Sequence, residues 1–467
     1  MNWRIVLLAV AWAAALGCAP EPVIDALPDA VVMVSDSGNQ RFVYTQLRDR
    51  AATQTVNLRS LHPDDCGPEY GGSAPADAEC LSFQAFPEQD ELVLTYDRQA
   101  IDGNFERSAI ERIRVDGAPD SPLWRLDALD FTTNYAGQLD ICAATQPCGD
   151  GSDMPDAPLS AVLRCRLAHV HDFDVLAEDT SSVDLLIADT VNERVLTVHL
   201  DKNTRCGVVT DVLSSAVLPE WAAGRTPNDV DAVPLDDGSS GVLVTFRSSN
   251  GDVEAGGVSG GDDGNGLVML FRPGAAGWEH AWTYPSVGFL NSPHDTSVFA
   301  SEAGDPYLVY AHSDGNGVTL QADWRQAQES RGSIGVALLG DGAPDYRFDA
   351  ILPATEPDGG FGFLRSALPY GQDSGVGGED WLVADSGCMA VEPGCPRTPA
   401  VRFVRFALDD ETDGAGTGAF EVGHGQQVNV YAESEGTPLN CGYGAPYVAH
   451  LAAGSAAGAG DPNVVCE

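Results

Sequence analysis

Beyond residue 30, short runs of apolar and β-branched residues, each closed by a polar turn, recur along the chain. Val31-Val32-Met33-Val34-Ser35-Asp36 runs through Ser37-Gly38-Asn39-Gln40-Arg41 into Phe42-Val43-Tyr44. Leu185-Leu186-Ile187-Ala188-Asp189 runs through Thr190-Val191-Asn192-Glu193-Arg194 into Val195-Leu196-Thr197-Val198. A third copy begins at Trp381-Leu382-Val383-Ala384-Asp385 and resumes at Val401-Arg402-Phe403-Val404, after an insertion bounded by Cys388 and Cys395. Strand, polar turn and second strand is the signature of a β-hairpin. Weaker copies at 92–96, 242–246 and 307–310 bring the hairpins to six.

A further strand precedes most of these hairpins. The segments 171–176, 228–233 and 294–299 open on His171-Asp172, Asn228-Asp229 and His294-Asp295, and 81–86 and 363–368 occupy the same place in two other units. Outer strands are expected over 123–129, 208–213, 278–284, 346–352 and 427–431. Four strands per unit and six units, about 24 strands, predict an all-β fold, a six-bladed β-propeller spanning 31–467. Repetition also removes the difficulty of folding so long a chain around one core, because each unit buries its apolar face on the next. The first unit has no preceding strand of its own. Ala445-Pro446-Tyr447-Val448-Ala449-His450-Leu451 offers one, so the ring is expected to close through a C-terminal strand beside the one beginning at Val31. Closure removes two open sheet edges.

The N-terminus has a different character. Arg4 precedes an apolar stretch, Ile5 to Ala15, that is too short to span a bilayer and reads as a secretory signal over 1–17. Ala15-Leu16-Gly17-Cys18 resembles the lipobox of bacterial lipoproteins, which implies that Cys18 becomes the acylated first residue and that a lipid anchor makes the membrane a partner. Residues 18–30 contain Pro20, Pro22 and Pro28 and read as an extended tether. Ala19 after the cysteine resembles an outer-membrane sorting signal, placing the protein in the cell envelope on a periplasmic or surface face. The chain has 11 cysteines, so lipidation of Cys18 leaves an even number to pair in an oxidising compartment. Neighbour pairing gives Cys66–Cys80, Cys142–Cys148 and Cys388–Cys395, and Cys165–Cys206 with Cys441–Cys466 completes one of several possible sets.

Charge narrows the partners. With 25 basic and 69 acidic residues the formal net charge is −44, and Lys202 is the single lysine. Such a surface repels nucleic acid and anionic lipid, and it strains the compact state unless counter-ions screen it. Nucleic acid is therefore excluded as a partner and a saline habitat is expected. Disorder is not, because 43% of residues are hydrophobic.

Two family resemblances rest on these motifs. The strand–Ala-Asp-Thr–Asn-x-Arg pattern around 185–197, echoed at 31–44, resembles the NHL-type propeller repeat, which implies fold but little chemistry. Inner strands that open on His-Asp or Asn-Asp resemble those of bacterial arylsulfotransferases, exported six-bladed propellers that move sulfate between phenols through a channel histidine. That resemblance covers about half the chain. It implies the histidine role for His171 or His294 and a sulfate-binding role for Arg365 or Arg247. Asn228 departs from the pattern, and the family's N-terminal domain has no counterpart here.

Strand starts in a propeller converge on one end of the channel, so His171, Asn228, His294 and Arg365 are expected to lie together. Imidazoles and a guanidinium suit an anion or a proton transfer. The plainer reading is that these residues cap strands, with Asp172, Asp229 and Asp295 bonding turn amides. His169-Val170-His171 would put two rings on one face of a strand, but no third ligand is evident and no metal or other cofactor is assigned. The segments 262–266 and 313–317 lack the closing glutamate of a calcium loop. Gly257-Val258-Ser259-Gly260-Gly261 lies in a glycine-rich loop rather than a nucleophile elbow. The expected function is binding of a small molecule or partner protein, with sulfate transfer at the channel as the rival.

Overall fold

The computed structural model describes residues 30–36, 41–46, 54–57, 80–81, 85–88, 91–99, 105–114, 122–130, 166–190, 192–214, 218, 225–235, 237–249, 266–275, 277–286, 290, 293–300, 306–312, 333–339, 343–350, 364–370, 378–385, 400–407, 447–453 and 465–466. Among them every regular element is a strand. The first sheet contains β1 (Ala30–Asp36), β2 (Arg41–Gln46) and β3 (Gln54–Asn57). The second has β4 (Cys80–Leu81) and β5 (Ala85–Glu88), both paired to β6 (Glu91–Gln99), then β7 (Phe105–Arg114) and β8 (Trp124–Leu126). After β9 (Ala128–Asp130) come β10 (Val170–Glu178), β11 (Ser182–Asp189), β12 (Arg194–Asp201) and β13 (Cys206–Ser214) in the third. The fourth is β14 (Arg225–Pro234), β15 (Ser240–Ser249), β16 (Leu267–Gly274) and β17 (Gly277–Tyr284). The fifth is β18 (Pro293–Ala300), β19 (Pro306–His312), β20 (Ser333–Leu338) and β21 (Asp345–Ala350). The sixth is β22 (Leu364–Tyr370), β23 (Gly378–Asp385) and β24 (Ala400–Ala407). Finally β25 (Tyr447–Ala453) and β26 (Val465–Cys466) return to the first sheet, in the order β26-β25-β1-β2-β3.

Apart from the parallel β9, the strands of each sheet pair as antiparallel neighbours, and successive sheets touch through strands at or next to their inner edges. β6 meets β10, β10 meets β14, β14 meets β18, β18 meets β22, β22 meets β25, and β25 meets β5. Successive antiparallel meanders that meet in sequence along their inner edges make a β-propeller. β25 pairs antiparallel with β1, Tyr447 opposite Ser35 and Ala453 opposite Ala30.

The core lies between sheets, and this explains the unbroken apolar runs. In β11, Leu185 and Ile187 face the second sheet with Val93, Ile110 and Trp124, whereas Leu186 and Ala188 face Val230, Val244 and Phe246 of the fourth. In β15 the alternation continues, Leu243 packing toward Leu308 and Tyr310 of the fifth sheet. A strand covered on both faces has no polar side to show, so period-two alternation disappears from its sequence.

Two expectations need correction. The segment 123–129 is not one outer strand, because Asp127 separates β8, antiparallel to β7, from β9, which runs parallel to β13 of the next sheet. The segment 81–86 is likewise two pieces, β4 and β5. With these extra pieces and β26, and without the expected strand at 427–431, the described residues hold 26 strands. The strand expected at 427–431, the motifs at 257–261 and 313–317, and Cys18 with its leader lie outside the described residues, as does all but Gly266 of 262–266.

Candidate functional site at the inner-strand bulges

Four successive inner strands carry the same irregularity. In β10, Val170 pairs with Asp189 and Asp172 with Ala188, which leaves His171 as an extra residue. Asn228 is extra in β14, between partners of Phe246 and Thr245. His294 is extra in β18 and Arg365 in β22. A β-bulge breaks the alternation locally and re-aims a side chain, a device often found beside functional sites. The residues selected from sequence are thus the bulge residues of consecutive sheets.

The structure brings three of them together. The rings of His171 and His294 lie 5.0 Å apart, tilted by 50°. The Asn228 amide donates to the backbone oxygen of His294 at 2.5 Å and lies 3.3 Å from its Nδ1. A carbonyl only accepts, so it orients the amide, and the same NH2 then meets Nδ1 as a donor. Nδ1 is therefore the acceptor nitrogen of His294, and in the neutral ring Nε2 carries the proton. His294 is fully buried at 0% exposure, whereas His171 retains 5%. Arg365 is placed by its backbone at the fourth bulge, and Arg247 lies in β15 between Phe246 and Ser249, but their side chains lie outside the described residues.

His169 joins the group, though not as two rings on one strand face. It precedes β10 in the left-handed region, φ 56°, and its ring meets that of His171 edge-on at 5.5 Å. Such a φ is uncommon for a residue with a side chain, although histidine adopts it more readily than most. Among the described residues, no group of three or more His, Cys, Asp or Glu is arranged to hold a metal ion. Arg225, at the start of β14, was not singled out from sequence. It is nearly buried, and loss of solvent pushes its guanidinium below the ordinary value. Its position three residues before Asn228 at a strand start was the available signal.

Each of the first three bulge residues is followed by an aspartate, and these do not bond turn amides. The Asp172 Oδ2 accepts the Val230 N–H at 2.8 Å, and the Asp229 Oδ2 accepts the Thr296 N–H at 2.8 Å. Asp295 in turn accepts the backbone N–H of Ala367. Each carboxyl group thus crosses to the residue after the corresponding position of the next inner strand. Asp174 repeats the link one rung along, accepting the Ala232 N–H at 2.9 Å. Burial raises Asp172 and Asp295 well above the usual carboxylate range, each pushed further by Asp229, and burial also raises Asp229.

No protein-family profile matches the chain, and no curated protein matches it in sequence. Similar solved structures include a 6-phosphogluconolactonase-like protein of Bacteroides uniformis, 9% identical over 82% of this chain and 80% of that one, with a TM-score of 0.38. The Dos1 propeller is 10% identical over 80% of this chain and 72% of its own, with a TM-score of 0.34. Sqt1 of Chaetomium thermophilum is 10% identical over 70% and 69%, also at 0.34. The fold assignment rests on the strand order given above, and the function on the site.

Proposed function

We propose that this chain is an exported, lipid-anchored propeller of six blades, closed by β25 on β1, that binds a small molecule or a partner protein without transforming it. The anchor is Cys18 and the binding end is the one where β10, β14, β18 and β22 bulge. The observation that carries the reading against His294 as a nucleophile is the double contact from Asn228 to its Nδ1 and backbone oxygen. A histidine that attacks a sulfuryl group needs a free ring lone pair, and here the Nδ1 lone pair is engaged while Nε2 holds the proton. Full burial of His294 supports the same conclusion. What the arrangement offers is the cluster of imidazoles of His169, His171 and His294 at the bulges, a chemistry suited to an acceptor-rich or anionic group.

The test uses 4-nitrophenyl sulfate with the purified protein, in the presence and absence of phenol. Saturable binding without nitrophenol release is expected, with affinity reduced in His171→Ala. Sulfate transfer to phenol that disappears in His294→Ala establishes the arylsulfotransferase reading instead, because loss of a nucleophile removes orders of magnitude in rate. An absence of binding by both 4-nitrophenyl sulfate and inorganic sulfate rejects an anion site at this end.

A further inference from the structure

The aspartates that follow the bulges are also bonded to one another. Asp229 stands between Asp172 and Asp295, its carboxyl group in side-chain hydrogen-bonding contact with both. Its Oδ2 also accepts Thr296 Oγ1 at 2.9 Å and Thr245 Oγ1 at 3.2 Å, besides the Thr296 amide. An ionised carboxylate has no proton to give, so each carboxyl–carboxyl contact requires one. Two contacts that share Asp229 need two protons among three carboxyl groups, and Asp229, which already accepts the Thr296 amide and hydroxyl, is the one suited to be the anion.

We propose that Asp172, Asp229 and Asp295 form a proton-sharing row that fastens four successive inner strands together and loosens as pH rises. The row joins β10 to β14, β14 to β18 and β18 to β22 through the amides of Val230, Thr296 and Ala367. Removing its protons would set three carboxylates side by side in a region sheltered from water, where like charges repel strongly. The surroundings add to this. Asp231 on β14 acts on Asp172 with further negative charge, and Asp174 on β10 occupies the next rung. His171 and His294 adjoin the row in the chain, one residue before Asp172 and Asp295, and Arg365 precedes Ser366 at the equivalent place on β22. Thr245 faces it from β15.

The direction of the pH effect follows from linkage. Asp172 and Asp295 hold their protons in the folded chain at pH values where the unfolded chain has released them. Unfolding therefore releases protons, and stability falls as pH rises from the ordinary carboxylate range near about 4 up to the raised folded values. Below that range the row contributes in full.

Infrared spectroscopy and urea unfolding test the device without reference to any ligand. At neutral pH the folded wild type should show the C=O stretch of protonated carboxylic acids, which ionised surface groups do not give. Asp172→Asn with Asp295→Asn should remove that band, while Asp201→Asn, at an exposed turn, should leave it. The wild-type urea midpoint should fall as pH rises above the ordinary carboxylate range, and the double variant should lose most of that slope, because the amide keeps a donor toward Asp229 and has no proton to release. If the double variant does not fold, the wild-type spectrum decides alone. Absence of the band at neutral pH overturns the proposal, as does a band that persists in a folded double variant.

Discussion

Arg194 and Asp189 show what the Asp-x-x-Asn-x-Arg pattern accomplishes at the level of single side chains. The Arg194 Nε donates to the Asp189 Oδ2 at 2.7 Å, with the two side chains 3% and 0% exposed. Asn192 donates to the same carboxylate and to the backbone oxygen of Arg166, and the Ala168 N–H donates to Asp189 Oδ1 at 2.8 Å. The motif therefore clamps the chain entering β10 to the turn after β11, and its role is structural. Burial raises the Asp189 carboxyl even though Arg194 opposes the shift. Arg194→Ala would leave that carboxylate buried without its cation, a change that typically costs about 3–5 kcal/mol. The deficit should be greatest near neutral pH and should shrink toward acid, where protonation of Asp189 removes the uncompensated charge. Urea unfolding of the variant at two pH values measures both effects. A loss below about 1 kcal/mol at neutral pH would place this pair among weak surface bridges and refute the clamp.

At the scale of elements, the sequence was legible wherever an apolar run coincided with a strand. Central hairpin strands such as Leu185–Ala188 and Val242–Phe246 are legible because they are covered on both faces. Boundaries were less visible where no residue type marks them. Asp127 divides β8 from β9, but nothing in 123–129 signals that the second half joins another sheet. The bulges were also hidden, since an extra residue leaves no compositional trace and shows only in the register. Even so, repeat equivalence brought His171, Asn228 and His294 to one place. The carboxyl row was half visible: the aspartates stood in the His-Asp and Asn-Asp pairs, but their acceptor geometry depends on how one sheet meets the next. His169 was misread because a left-handed backbone takes it out of strand spacing. The first unit lacks a preceding strand in the sequence and 445–451 is its replacement there, and β25 pairs with β1 over Ala30 to Ser35. If that pairing closes the ring, truncation after Asn440 uncovers the β1 edge and the flank of β22, which β25 contacts. Unprotected edges pair with other chains, so the truncated protein should aggregate. A soluble, cooperatively unfolding truncation would refute closure by β25.

For the whole molecule, charge and attachment have to be considered together. A formal net charge of −44 on 467 residues opposes approach to an anionic bilayer, and the opposition grows as salt is withdrawn and the screening length increases. Peripheral proteins held by basic patches behave in the opposite way, binding more tightly at low salt. With 25 basic residues against 69 acidic ones, electrostatic adsorption to such a surface is unfavourable. If the chain is held at a membrane as proposed, the hold would fall to acyl chains on Cys18, and the Pro-containing segment 18–30 would serve as the tether. Single acyl chains anchor only marginally, so stable attachment requires more than one. Cys18→Ser should consequently abolish fatty-acid labelling and release the protein from the membrane fraction at every ionic strength, with no recovery at low salt. Wild-type protein should remain bound even in high salt, where electrostatic contacts are screened. Labelling that survives the substitution, or membrane retention of the variant that strengthens as salt is lowered, would mean that something other than a lipid on Cys18 holds the propeller at the membrane.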